Sequence, residues 1–170
     1  MSLSAALPSQ SLLTGFPPVM DRHTEILILG SFPGEASLVA QQYYAHPQNQ
    51  FWRLLSAVLD EDLVTLAYAE RLECLKKHHI GLWDVIAACA RKGSLDSAIR
   101  HARHNDVTLL RKQCPALRRV CFNGKTSGKQ APLFDAAGLE TLILPSSSPA
   151  YAAMRFEQKL VHWRGIIAQS

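Results

Sequence analysis

The chain has 170 residues, of which 48% are hydrophobic and 19% are charged, and these values are typical of one soluble globular domain. No apolar run approaches the roughly 18 residues that span a bilayer, so an integral membrane protein is excluded. The first ten residues lack the basic region and apolar block of a secretory signal. The four cysteines include no C-x-x-C pair. We therefore expect a cytoplasmic protein with reduced thiols and no metal centre.

The formal net charge of +4 is unevenly distributed along the chain. Residues 1–70 hold two lysines and arginines against seven acidic residues, whereas residues 71–170 hold sixteen against seven. Residues 100–130 alone contain eight basic residues and one acid. Such a stripe indicates an anionic partner, of which nucleic acid is the commonest, or else a basic helix face exposed to solvent.

Four short apolar segments are predicted to be strands covered on both faces, because they are continuous rather than alternating. They are Glu25–Gly30, Ile80–Ile86, Arg119–Gly124 and Thr141–Pro145.

Between the strands, apolar residues recur at intervals of three and four, which predicts helices. The predicted helices are Phe51–Leu59, Leu63–Lys77, Asp106–Gln113 after an Asn105 cap, Lys125–Ala137 ending at Gly138, and Ala150–Ala168. Alternating strands and helices predict an α/β fold: a three-layer α/β/α sandwich around a mainly parallel four-stranded sheet. We expect a flexible N-terminal arm over residues 1–20 and a single domain over residues 21–170.

Each predicted strand ends in an unusual polar loop. The loops hold Gly30–Gly34, Asp84, Asn123–Lys125 and Ser146–Ser148. In parallel sheets the ligand site lies beyond the carboxyl ends of the strands, so these four loops predict one site.

The densest motif is Gly30-Ser-Phe-Pro-Gly34, followed by Tyr43-Tyr-Ala-His-Pro-Gln-Asn-Gln-Phe-Trp52. The glycines allow close approach of a ligand, and the proline fixes the turn. Neither the dinucleotide fingerprint nor a Walker loop is present. Paired aromatic residues beside His-Pro and an asparagine favour a platform for stacking a planar ring, although such aromatics can equally be core residues.

These motifs resemble the uracil-DNA glycosylase superfamily, and the block from Gly30 to Trp52 resembles its mismatch-specific branch. Two further segments, Gly81–Ile86 and Gly93–Ser97, together with Phe122–Lys125 and Leu144–Ala150, are most similar to the hypoxanthine-DNA glycosylase branch. The resemblance covers about residues 25–165. It implies the superfamily's fold and removal of a damaged base from DNA.

The resemblance implies that Asn49 is the catalytic residue. In most relatives an Asp or Asn in the first motif positions the hydrolytic water, but this chain has Phe32 there. An amide is not a general base, yet its carbonyl can orient a water against C1′. That suffices where the transition state is an oxocarbenium-like sugar. Asn49 can also be a simple helix cap, which is compatible with catalysis.

Base binding is expected from five residues: Ser31, Phe32, Tyr44, Asp84 and Asn123. The amides near Ser31 and Phe32 and the Asn123 side chain would donate to the departing base. The resemblance places Tyr44 where relatives stack an aromatic on the flipped base, and Asp84 where they read it. A carboxylate at Asp84 would accept N1–H of hypoxanthine or N3–H of uracil, whereas adenine and cytosine present a lone pair there. The alternative is a buried acid paired with an arginine.

The second family motif corresponds to the loop after the fourth strand, which in relatives pinches the DNA backbone and inserts a side chain into the stack. Its first position is Leu144, which cannot donate to the base. We expect the backbone contacts and the inserted side chain to come from Gly30, Pro33, Gly34, Lys125, Ser146, Ser147, Ser148 and Tyr151, with Tyr151 as the inserted residue.

Together these features predict a monofunctional DNA glycosylase of base excision repair, with hypoxanthine as its main substrate base and uracil as the second. We expect a monomer that acts on double-stranded DNA, without cofactor, metal or membrane partner, and without lyase activity, since no lysine lies in the core motifs. Two alternatives stay open: a catalytically silent damage sensor, supported by Phe32, and a nucleoside or nucleotide hydrolase. A Ser-His-Asp hydrolase is not favoured, because the nucleophile elbow is absent.

Overall fold

A computed structural model describes residues 12–169. Four strands form a central sheet: β2 (Ile26–Gly30), β3 (Ile80–Asp84), β6 (Arg119–Asn123) and β7 (Glu140–Leu144). Their spatial order is β3-β2-β6-β7, and every neighbouring pair is parallel. All four strands are therefore where the sequence predicts them, to within two residues. Their carboxyl ends meet at one edge of the sheet.

Both faces of this sheet are covered, which explains the continuous apolar runs. Alternate residues of β2 point to opposite faces: Ile26 and Ile28 join one core cluster, and Leu27 and Leu29 join the other. The first cluster packs under α2 (Phe51–Leu59), α3 (Tyr68–Lys77) and α7 (Phe156–Trp163). The second includes residues of α4 (Leu110–Gln113) and α6 (Ala131–Ala136). Two shorter helices, α1 (Glu35–Ala40) and α5 (Lys125–Gly128), complete the three-layer α/β/α sandwich.

A second sheet, not predicted from the sequence, adjoins the first. It contains β1 (Leu13–Thr14), β4 (Ile86–Ala90) and β5 (Arg100–His104) in the antiparallel order β1-β4-β5. The predicted strand Ile80–Ile86 is thus two strands that separate at Val85. The segment Arg-His-Ala-Arg-His has no apolar face because β5 is exposed along its whole length, and the small side chains of Ile-Ala-Ala-Cys-Ala in the largely buried β4 give no alternating pattern.

The described part of the predicted arm, residues 12–20, packs against the two sheets. Residues 1–11 lie outside the described residues, but Val19 exchanges two backbone hydrogen bonds of 2.8 Å with Leu82. The carbonyl of Pro17 accepts a 3.1 Å hydrogen bond from the Tyr43 hydroxyl, and β1 pairs with β4. The segment 12–20 is therefore part of the folded domain, because its backbone satisfies edge groups of both sheets.

The predicted helix bounds change where a local interaction ends the helix. Lys125–Ala137 divides into α5 and α6, because Pro132 occupies the first turn of α6 and cannot continue a helix that enters from α5. The helix predicted from Asp106 begins as a 3-10 turn capped by Asp106 rather than Asn105. The predicted helices starting at Leu63 and Ala150 begin later, at Tyr68 and Phe156. No helix within residues 12–169 is long and apolar enough to cross a membrane.

Candidate active site

A cavity of about 760 Å³ opens at the carboxyl ends of the four parallel strands. Every site residue predicted from the sequence lines it, which shows that the four strand-end loops converge as expected. These residues are Gly30, Ser31, Phe32, Pro33, Gly34, Tyr44, Asn49, Asp84, Asn123, Lys125, Ser146, Ser147, Ser148 and Tyr151.

Two buried polar groups meet at Gly30. A Cβ placed on Gly30 would lie 2.6 Å from Asp84 Oδ1 and 2.9 Å from the Tyr44 hydroxyl, so only glycine fits at this point. Asp84 is 5% exposed, and neither its Oδ2 nor the Tyr44 hydroxyl has a hydrogen-bond partner among the described residues. Buried polar atoms are nearly always partnered in folded proteins. These two atoms are therefore available to a ligand in the cavity.

The environment of Asp84 disfavours its charge. Burial, together with the nearby negative charge of Asp96, raises the pKa of Asp84 to about 7, and the positive charge of Arg91 partly opposes this shift. No basic side chain of residues 12–169 lies within 4.0 Å of this carboxylate. Asp84 therefore forms no direct ion pair with an arginine among these residues, although Arg91 lies close enough to affect its pKa, and Asp84 can carry or release a proton near neutral pH.

This raised pKa links stability to pH. The unfolded carboxyl has a pKa of about 3.9, so the folded state holds the proton more tightly. The contribution of Asp84 to stability is full below that value and is lost as the pH rises through about 7. We expect Asp84→Asn to raise the Tm above that of wild type by about 5 °C at pH 8, with the difference shrinking toward pH 4.

Thermal unfolding between pH 4 and pH 8 measures this difference. Asp60→Asn is the control, because it makes the same change from acid to amide at an exposed position at the end of α2. A difference for Asp84→Asn that does not vary with pH would contradict the expectation.

Tyr44 is held as a rigid aromatic surface. Its ring stacks on Phe51 with centroids 3.8 Å apart and planes 15° apart, and its backbone φ is +56°. Phe51 and Trp52 are core residues, as expected, with 0% and 5% exposure. Because Phe51 covers one face of the Tyr44 ring, the opposite face is the one that a planar ligand can stack on.

The segment 93–97 forms one wall of the cavity. The hydroxyl of Ser31 donates a 2.6 Å hydrogen bond to Asp96, and the amide of Glu35 donates to Ser94 Oγ at 2.9 Å. Ser94, Leu95, Asp96 and Ser97 all line the cavity. The sequence motif Gly93–Ser97 was the only signal for this wall, and no role was assigned to it from the sequence.

Phe32 contributes to the core rather than to water binding. Its side chain is 6% exposed, belongs to the second core cluster, and lies 5.3 Å from the guanidinium of Arg91. Arg91 also donates hydrogen bonds to the carbonyls of Pro33 and Gly93. Arg91 was missed from the sequence, and it fixes the loop after β2 by binding both backbone and ring.

Asn49 lies in the cavity wall directly before Gln50, the N-cap of helix α2. Its Oδ1 accepts a 3.0 Å hydrogen bond from the amide of Phe51, so the side chain satisfies one free amide at the start of the helix. One lone pair of this oxygen remains for a water. His46 Nδ1 accepts from the amide of Gln48 at 3.1 Å, in agreement with a structural rather than a basic role.

The loop after β7 is braced by Asn123. Asn123 Nδ2 donates to Ser147 Oγ at 2.9 Å, and the amide of Ser147 donates to Asn123 Oδ1 at 2.9 Å. Ser147 is 1% exposed, and its carbonyl accepts a 3.0 Å bond from the amide of Gln50. Its hydroxyl is thus an internal brace rather than the phosphate contact that we expected, because the bond to Asn123 turns it inward.

The outer part of the same loop is accessible. Pro149 and Ala150 are exposed, whereas Tyr151 is partly buried with its ring centroid 5.4 Å from Lys159 Nζ. Insertion of Tyr151 into a base stack would therefore require it to leave this cation. Lys125 is exposed at the cavity rim.

The basic stripe of residues 100–130 has two parts with different roles. Arg119 is 2% exposed, pairs with Glu140 at 3.0 Å and donates to the carbonyl of Ile166, so its role is structural. Arg100 and Arg103, in contrast, lie on the exposed strand β5. Arg100 Nη1 contacts the carbonyl of Ser97, which lines the cavity.

One group of possible metal ligands lies away from the cavity. Single ligand atoms of Glu61, Cys74 and His78 lie within 4.8 Å of one another. Cys74 Sγ donates to Glu61 at 2.6 Å, and His78 Nε2 lies 3.1 Å from the same carboxylate, so the three residues satisfy one another by hydrogen bonding. All four cysteines are free thiols, three of them buried.

Comparison with known proteins agrees with the fold and the motifs. Residues 17–167 match the family model described as the uracil DNA glycosylase superfamily. The chain is 52% identical over 136 residues to a hypoxanthine DNA glycosylase of Methanosarcina barkeri and 49% identical to one of Methanosarcina acetivorans, covering 80% of this chain and 86% of each relative.

A solution NMR structure from Methanosarcina acetivorans, described as a candidate uracil DNA glycosylase, superimposes with a TM-score of 0.82. The two chains are 43% identical, and the match covers 92% of this chain and 99% of the other. Sequence, family model and tertiary structure agree over nearly the whole domain, and the chain belongs to the uracil DNA glycosylase superfamily.

Proposed function

We propose that this protein is a monofunctional DNA glycosylase that flips a deaminated base into the cavity and hydrolyses its N-glycosidic bond, with hypoxanthine as the preferred base and uracil second. The observation that carries the proposal is the pair of unpartnered buried groups, Asp84 Oδ2 and the Tyr44 hydroxyl, beside an aromatic face in a cavity of about 760 Å³. A flipped base needs a stacking surface and hydrogen-bond partners for its pairing edge. The two similar Methanosarcina enzymes support hypoxanthine.

Base selection is assigned to Asp84. When ionised, it only accepts hydrogen bonds, so it pairs with N1–H of hypoxanthine and is repelled by the N1 lone pair of adenine. Tyr44 stacks on the base with its free ring face and directs its hydroxyl toward the same corner. Backbone amides near Ser31 and Phe32 stabilise the leaving base; each such donor contributes about 2.7–4 kcal/mol in comparable oxyanion holes.

Hydrolysis is assigned to a water oriented by Asn49. The oxocarbenium-like transition state needs little nucleophilic push, so a neutral amide acceptor is enough. Phe32 is buried where most relatives carry the water-positioning residue, and it can neither accept nor donate. Among residues 12–169, the cavity lining includes one lysine, Lys125, which lies at the rim.

One assay separates this proposal from its alternatives. Duplexes with a single hypoxanthine, uracil or xanthine are incubated with the protein and then treated with alkali, which breaks abasic sites. We expect strand breaks, fastest for hypoxanthine. Tight binding without breaks would indicate a damage sensor, and release of base from free deoxyinosine but not from duplex would indicate a nucleoside hydrolase.

The DNA duplex is assigned to the face that carries the cavity rim and strand β5. Arg100 and Arg103 are exposed there, and each phosphate contact contributes about 0.9 to the slope of log K against log salt. We expect the double variant Arg100→Gln/Arg103→Gln to lower this slope by about 1–2.

Binding to a hypoxanthine duplex between about 50 and 200 mM salt measures the slope. The matched control is Lys76→Gln/Lys77→Gln, which removes two exposed charges from the end of α3, next to the amino end of β3 and away from the carboxyl ends that carry the cavity. Equal slopes for both double variants would show that β5 is merely a solvated surface. The protein is further proposed to act as a cytoplasmic monomer, in keeping with its free thiols.

A further inference from the structure

Lys159 is a buried cation without an acidic partner. It is 2% exposed on helix α7, and no ion pair of residues 12–169 includes it. Its Nζ donates a 2.9 Å hydrogen bond to Gln50 Oε1 and lies 5.4 Å from the ring centroid of Tyr151. Burial lowers the pKa of Lys159. The neutral amide of Gln50 and the ring of Tyr151 offset only part of the cost of desolvating the charged Lys159. An anion beside Lys159 would offset more of this cost.

A groove of about 400 Å³ runs past this cation. Ser148, Pro149, Tyr151 and Met154 line both this groove and the base cavity, so the two adjoin each other. Arg155 lies along the groove, and the guanidinium of Arg53 packs 4.6 Å from the ring of Phe156, another lining residue. Within the part of the chain that the structure describes, none of its lining residues is acidic. The groove therefore offers positive charge directly beside the flipped-nucleotide site.

We propose that this groove binds a backbone phosphodiester next to the flipped nucleotide, with Lys159 supplying the cation. The inference rests on the proposed glycosylase function and adds a phosphate site to it. A phosphodiester is the anion that DNA would bring to this position, and it would provide the countercharge that the protein lacks.

The contacts of Lys159 connect this site to catalysis. Lys159 Nζ donates to the side-chain oxygen of Gln50, the residue that directly follows Asn49. The backbone amide of Gln50 donates to the carbonyl of Ser147. Binding of a phosphate at Lys159 would therefore act through Gln50 on the segment that contains Asn49. Lys159 acts on binding and positioning, and it does not touch the reacting atoms.

The test combines a protein change with a DNA change. Lys159→Met keeps the length of the stem and removes the charge. A series of hypoxanthine duplexes carries one uncharged methylphosphonate at successive positions around the lesion. Single-turnover excision at varied protein concentration gives an apparent Kd and a maximal rate for each pair.

We expect one methylphosphonate position to weaken the apparent Kd of wild type about tenfold, and Lys159→Met to weaken it similarly on unmodified DNA. The two losses should not add, because both remove the same contact. Lys159→Arg should keep the sensitivity to that position. A Tm for Lys159→Met at or above that of wild type would exclude unfolding as the cause.

Independent, additive losses at every position would overturn the proposal, as would a Lys159→Met variant with unchanged Kd. Inorganic phosphate provides a further arm: if it raises the Tm of wild type but not of Lys159→Met, and no methylphosphonate position depends on Lys159, the site binds free phosphate rather than DNA. Wild-type excision of hypoxanthine in the same assay distinguishes failure of this inference from failure of the proposed function.

Discussion

Asn49→Ala is expected to reduce the single-turnover rate of hypoxanthine excision by about 10²-fold or more, because the hydrolytic water loses its acceptor and its alignment with C1′. Asn49→Asp should retain much more of the rate, since it keeps an oxygen at the same place that can both accept from Phe51 and bind the water. The measurement is alkali-revealed strand cleavage under enzyme excess.

Loss of helix capping is the competing explanation, because Asn49 Oδ1 also accepts from the Phe51 amide. Removing a cap costs about 1 kcal/mol of stability. Asp106→Ala is a matched control: it removes a similar 2.9 Å cap, from the amide of Thr108, at a helix outside the cavity. A similar fall in excision rate for both variants would contradict the assignment of Asn49.

Asp84→Asn is expected to reduce the preference for hypoxanthine over adenine by roughly 10- to 100-fold, since one good hydrogen-bond pairing is worth about 1–3 kcal/mol of discrimination. The amide accepts and donates, so it can satisfy N1 of adenine, which the carboxylate repels. Competition between hypoxanthine and adenine duplexes, read as a ratio of kcat/KM, measures the effect. An unchanged ratio would refute the role of Asp84.

The same residue predicts a pH dependence. With its pKa raised to about 7, Asp84 is ionised above that pH and protonated below it. The protonated acid both donates and accepts, so wild-type discrimination against adenine should fall as the pH drops from 8 to 6, whereas Asp84→Asn should show no such change. Asp96→Asn should move the midpoint to lower pH, because the charge of Asp96 helps to raise the Asp84 pKa.

The basic residues show how a sequence pattern can combine different roles. The stripe over residues 100–130 indicates an anionic partner, yet Arg119 is buried against Glu140, and Arg100 and Arg103 are exposed on a strand that no periodicity predicts. Counting charges along the chain does not show how deeply each side chain is buried, so only the tertiary structure separates structural arginines from those proposed to face DNA.

The hydrogen bonds that hold the loops of the site together were likewise not predictable from the sequence. The bonds of Ser31 to Asp96 and of Asn123 to Ser147 join residues 65 and 24 positions apart. Long-range pairs of this kind depend on how loops meet in space. The sequence predicts the same phosphate-binding role for all three serines after β7. In the structure, however, the hydroxyl of Ser147 points to the interior and binds Asn123.

The sequence by itself determined the parallel sheet and the edge at which the four strand-end loops meet. It could do so because buried strands have continuous apolar runs, and the carboxyl ends of parallel strands meet at one edge. Tyr44, Asn49 and Tyr151 were added to the site by the resemblance to the glycosylase family. Only the tertiary structure decided the second sheet, the place of segment 12–20, the unpartnered state of Asp84 and the burial of Lys159 without a countercharge. Those features depend on neighbours that are distant in sequence, and desolvation of a charge has no local signature in the chain.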